Sequence, residues 1–109
     1  MNFIEYQEKA LRTSGTYKNR IDQLLNGVMG LNGEAGEVID VVKKHLFQGH
    51  EFNKEKIIDE AGDVLWYLSL IANACNVSLE HIAVLNIMKL EKRYPKGFFR
   101  KEDSINRKE

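Results

Sequence analysis

The sequence predicts an all-α protein, a four-helix bundle-like fold that assembles as an oligomer. Three observations predict it. No run of alternating apolar and polar residues bounded by turns appears, so strands are not expected. The single proline, Pro95, lies near the end of the 109 residues. Apolar residues recur at helical spacing behind cap-forming residues, and one segment is apolar nearly all round.

The first helix is expected over residues 3–13. Asn2 can cap it, with Glu5 three residues on as in a capping box, and Phe3, Tyr6, Ala10 and Leu11 form the apolar stripe. Residues 16–20 are polar and read as a loop. The second helix starts at Asn19 or Arg20 and ends between Phe47 and Gly49. It carries Gly27, Gly30, Gly33 and Gly36, each costing up to about 1 kcal/mol relative to alanine. Close helix packing, a break near Gly30, or space for a ligand beside the neighbouring acids would each account for them. Val38, Val41 and Val42 continue the apolar stripe. Lys43, Lys44 and His45 then fall in the last turn, where the helix dipole favours cations.

Gly49 is the expected helix stop and Asn53 the cap of a third helix reaching Ala74. Beyond Asp63 this helix is apolar on nearly every face and should be buried on most sides, more than a small monomer can accommodate. Ser78 caps a fourth helix that ends at Tyr94, before Pro95. On it, Ile82, Asn86, Lys89 and Arg93 share one narrow sector. Residues 100–109 read as a charged tail, mobile at its end, with Phe98 and Phe99 as anchors just before it.

Composition narrows the function. Sixteen basic and sixteen acidic residues give no net charge, which argues against a generic nucleic-acid binder. The lone cysteine, Cys75, sits in an apolar run and reads as a small buried hydrophobe in a reducing, cytoplasmic compartment. The N-terminal residues carry charges early and do not resemble a signal peptide. The uncharged run over residues 64–79 is too short for a membrane span of about 20 residues.

Two short phrases carry the chemistry: GEAGEV, residues 33–38, and DEAGDV, residues 59–64. Each sets two carboxylates three residues apart, Glu34 with Glu37 and Glu60 with Asp63, hence on one helix face. Like charges so placed repel unless a cation lies between them. A single such pair is common on solvated helices. Two pairs, each among apolar residues and each enclosing a small Ala-Gly step, point to a four-carboxylate nest for Mg2+ or Mn2+. Asp59 lies about 40° from Asp63 around the helix, either behind the nest or simply an early-turn acid favoured by the dipole. Asp40 is expected to point away into solvent. A redox di-iron bundle needs histidines at Glu-x-x-His spacing, and His45, His50 and His81 do not provide it. A magnesium nest without histidine suits polyphosphates. The stripe of Asn86, Lys89 and Arg93 is then either a source of phosphate-binding cations or an ordinary exposed face.

The stretches GLNGEAGEVIDVVKKHLFQGH, DEAGDVLWYLSLIA and NIMKLEKRYPKGF resemble the MazG-like nucleoside triphosphate pyrophosphohydrolases of the all-α NTP pyrophosphatase superfamily. The resemblance covers roughly residues 6–98, with residues 1–99 as the domain. It implies Mg2+-dependent hydrolysis between the α and β phosphates, releasing a nucleoside monophosphate and pyrophosphate. It also implies a homodimer or homotetramer. Glu34, Glu37, Glu60 and Asp63 resemble the metal ligands and catalytic acids, one glutamate also orienting or deprotonating the attacking water. Tyr67, Asn86 and Lys89 resemble nucleotide contacts, with Arg93 and Lys44 as further phosphate contacts. Tyr6 and Trp66 are candidates for the base, from the same or a neighbouring subunit. The rival reading is a non-catalytic helical module that binds a nucleotide or a partner.

Overall fold

The computed structural model describes residues 1–107. Five helices follow one another: α1 (Phe3–Leu11), α2 (Arg20–Phe47), α3 (Lys54–Ala74), α4 (Leu79–Arg93) and α5 (Lys101–Ile105). There is no strand among the described residues. The first four start where the cap residues lie. Asn2, Asn19, Asn53 and Ser78 accept hydrogen bonds from the backbone N–H of Glu5, Asp22, Lys56 and His81, satisfying N–H groups that the first turn leaves open. The short α5 falls within the expected charged tail. Residues 108–109 of that tail lie outside the described residues.

The antiparallel pair α2 and α3 forms the frame. Two of the four helical glycines before the chain reversal hold it together. A Cβ at Gly27 would press on Ile71 and Leu70, and one at Gly30 would overlap the Tyr67 ring. Neither position has room for a side chain, so the two backbones approach closely there. Gly33 and Gly36 meet nothing within 4 Å. Packing and open space thus divide the four glycines, and α2 runs unbroken through Gly30. Gly49, at φ 75°, supplies the left-handed residue that reverses the chain, and the His50 N–H returns to the Lys44 carbonyl at 3.2 Å.

Leu70 and Ala72 are the most buried apolar residues, with Ala10, Ala74 and Leu79 beside them. The short α1 lies across α3. Trp66 Nε1 donates to Thr13 Oγ1 at 2.8 Å, and Gln7 bridges the α3–α4 turn by donating to the Val77 carbonyl and accepting from the Leu79 N–H at 2.7 Å. Asn76, at φ 58°, ends α3. Its N–H bonds the Asn73 carbonyl and that of Val77 bonds Ala72, a Schellman closure. The chain then leaves along α4 at 95° to α3.

Cys75 departs from expectation. It is exposed, because it occupies the cap of α3 at the solvent edge of this turn rather than the buried face. No single helix among the described residues is long and apolar enough to cross a membrane. The perpendicular α4 leaves Ile82, Val84, Leu85, Ile87 and Met88 exposed. The radius of gyration is 17.1 Å, against about 13 Å for a compact chain of this length.

Candidate metal centre

The glycine contacts set the register of the seam. With Gly27 opposite Ile71 and Gly30 opposite Tyr67, an antiparallel pair carries Glu34 toward Asp63 and Glu37 toward Glu60 one to two turns further on. Both acidic phrases therefore reach the same seam, where the small residues end.

Three of the four acids converge. Ligand oxygens of Glu34, Glu60 and Asp63 all lie within 4.8 Å of one another. Glu60 is buried, Glu34 half-buried and Asp63 exposed, so the cluster has a closed floor and an open side. Glu37 lies outside the trio, on the wall of an adjoining chamber of about 760 Å³ at the mouth of the hairpin. Val41, Lys44, His50, Phe52 and Lys56 also line that chamber.

The electrostatics follow from crowding. The hydrogen bond between the Glu34 and Glu60 carboxyls moves their pKa values apart, favouring the protonated form of Glu34 and the charged form of Glu60. The hydrogen bond to Glu60, followed by desolvation and the charges of Glu60, Asp63 and Glu37, pushes the Glu34 carboxyl up to about 7. Glu60 is held below its ordinary range by the hydrogen bond from Glu34 and by Lys56, whose Nζ lies 2.9 Å from Glu60 Oε1. The second carboxylate oxygen of Glu34, Oε2, is buried and has no hydrogen-bond partner. A buried oxygen left in that state favours a ligand that accepts its lone pair. Three convergent carboxylates without imidazole or thiolate are hard oxygen donors, and they fit Mg2+ or Mn2+.

The remaining expected residues are distributed unevenly. Tyr67 packs over Gly30 and meets Trp66 edge to face, with ring centroids 5.0 Å apart. Both rings are half-buried, and the indole N–H of Trp66 is committed to Thr13. The Tyr6 hydroxyl titrates above its ordinary value, through burial first and the Asp63 carboxylate second, so Tyr6 is within electrostatic reach of the centre. Lys44 faces the chamber. Asn86, Lys89 and Arg93 are not brought to the acids. They ride on α4, perpendicular to α3, which leaves Lys89 about 20 Å from Asp63 in a straight line.

Asp40 lies outside the trio, its side chain 39% exposed, and lines the open chamber, its carboxylate 2.8 Å from Lys44 Nζ and 3.9 Å from Lys43 Nζ. The cause is visible in the spacing, since Asp40 follows Glu37 by three residues and shares its face. Its pKa is lowered chiefly by the hydrogen bond from Lys44. Lys56 was not singled out in the sequence. The signal was its position four residues before Glu60.

A family model described as the MazG nucleotide pyrophosphohydrolase domain matches residues 24–98, which contain all four acids, Tyr67 and the α4 stripe. The chain is also similar to the Gene 37 protein of Mycobacterium phage L5. The two are 37% identical over 81 residues, covering 71% of each chain. No solved structure matches. The matched span and the acids it brings together agree: the chain belongs to the MazG nucleotide pyrophosphohydrolase domain family.

Proposed function

We propose that this protein hydrolyses nucleoside triphosphates between the α and β phosphates, with Mg2+ or Mn2+ held by Glu34, Glu60 and Asp63 and approached by Glu37. One observation carries the reading: the convergence of three carboxylates around the buried, partnerless Glu34 Oε2. A divalent cation held there supplies charge neutralisation on phosphate oxygens and activation of a water. Glu37, exposed on the chamber wall, would orient that water and accept its proton in this reading. Lys44 lines the chamber, held by Asp40, and Tyr6 with one of Trp66 and Tyr67 would contact the nucleoside.

The α4 stripe enters through assembly. The accessible surface is 8137 Å², against about 6,200 Å² for a compact monomer of this mass. The surplus, roughly 1,900 Å² on one chain, exceeds the about 800 Å² that a standard interface covers on each partner and is of the size that extensive obligate interfaces cover. A symmetric homodimer or homotetramer would cover the apolar face of α4 and bring Asn86, Lys89 and Arg93 to a neighbouring copy's centre. Light scattering at micromolar concentration should return a multiple of 12.6 kDa, and a monomer mass would contradict assembly.

The activity is tested by incubation with a pool of deoxynucleoside triphosphates and Mg2+, followed by product separation. Monophosphate with pyrophosphate supports the reading. Diphosphate with orthophosphate assigns a different bond, and tight binding without any product supports a binding module instead.

A further inference from the structure

We propose that Lys56 is a resident counter-ion of the acidic centre, one that yields to a divalent cation and then binds the anionic tail of the substrate in the adjoining chamber. The proposal rests on the metal-centre reading above.

Lys56 Nζ lies 2.9 Å from Glu60 Oε1, and the two partners are unequal. The Glu60 side chain is 8% exposed and fixed in the seam, whereas that of Lys56 is 49% exposed on a flexible four-carbon stem. Glu60 has Glu34 and Asp63 within 4.8 Å. Such a group of carboxylates needs positive charge, and here the Lys56 ammonium supplies it. A divalent cation would bind Glu60 oxygen at about 2.1 Å, and an ammonium on the same carboxylate would then lie close enough to repel it. The two therefore compete for Glu60, and the mobile partner is the one that moves.

The displaced side chain has a place to go. Lys56 lines the chamber of about 760 Å³, with Glu37, Lys44 and His50 also on its walls. Lys44 is already held by Asp40 at 2.8 Å, so the released Lys56 is the cation free to turn toward phosphate oxygens there. The same residue would weaken metal binding in the empty protein and strengthen binding of the metal-bound substrate.

The test uses the full chain and two probes, Mn2+ alone and inorganic pyrophosphate. Free Mn2+ is followed by electron paramagnetic resonance for wild type, Lys56→Met and Lys56→Arg. Lys56→Met should bind Mn2+ at least about threefold more tightly, since removal of a neighbouring cation lifts a repulsion. At saturating Mn2+ it should bind pyrophosphate about tenfold more weakly, the loss of one charge-assisted contact. Lys56→Arg keeps the cation and should stay near wild type in both. Lys56→Gln repeats the test should the methionine variant melt early. Unchanged Mn2+ affinity, or unchanged pyrophosphate affinity, in a folded neutral variant overturns the proposal while leaving the metal centre intact. A wild-type protein that binds no Mn2+ overturns both.

Discussion

Across the α2–α3 seam the Glu34 carboxyl is hydrogen-bonded to that of Glu60, which favours a proton held on Glu34. The folded-state pKa of Glu34, about 7, is above its ordinary value of 4.5. The folded chain therefore binds this proton where the unfolded chain has lost it. Its stabilising contribution is fully present below the unfolded value and disappears as pH rises through 7. Glu60, whose pKa is lowered, stays charged across that window and does not oppose the trend. With chelator present, the melting temperature should fall between pH 6 and pH 8, and Glu34→Gln should flatten that slope. A cation must displace the same proton, so Mn2+ affinity should climb with pH and level off above 7. A pH-independent Mn2+ affinity would contradict the raised pKa of Glu34.

Gly30, about five turns before the chain reversal, and Gly36, about three and a half turns before it, should respond in opposite directions. Gly30→Ala forces a methyl group into the Tyr67 ring and should cost about 1–3 kcal/mol as the ring is displaced. Gly36→Ala points into open space and should gain up to about 1 kcal/mol from helix propensity. Denaturant unfolding of both variants checks the pair. Equal effects would mean that the seam is not packed at Gly30.

Gln7 ties α1 to the α3–α4 turn through two hydrogen bonds, one of them a 2.7 Å bond from the buried side of the Leu79 N–H. Gln7→Ala leaves that donor and the Val77 carbonyl unmatched and should destabilise by about 1–3 kcal/mol. Because α4 takes its direction from this turn, hydrogen exchange should accelerate at Leu79 before it does so within the α2–α3 seam.

The helices and the four acids were legible because each rests on local signals. Asn2, Asn53 and Ser78 mark helix starts, and Glu34/Glu37 and Glu60/Asp63 declare their shared faces by spacing alone. What was hidden depends on the register between helices. That Gly30 receives Tyr67 while Gly36 faces open space follows from how α2 slides on α3, which no local pattern encodes. The 95° departure of α4 depends on Asn76 adopting φ 58° and on Gln7 reaching the turn from 72 residues away. Asp40 is a different case. Its three-residue spacing from Glu37 already placed it on the chamber side, and its pairing with Lys44 keeps it there.

The most direct test of the metal centre is the steady-state turnover of a deoxynucleoside triphosphate, with Mg2+, by Glu60→Gln and Glu37→Gln beside Asp22→Asn. Asp22 lies in the first turn of α2, three turns before Glu34, and serves as the remote control. Each glutamine keeps the shape of the side chain and removes charge that the cation and its water need as the transition state forms. Both Glu variants should remain folded and lose on the order of 100-fold in turnover, comparable to removal of one preorganised electrostatic group, while Asp22→Asn keeps wild-type activity. Near-normal turnover by a folded Glu60→Gln protein would contradict the assignment of this centre.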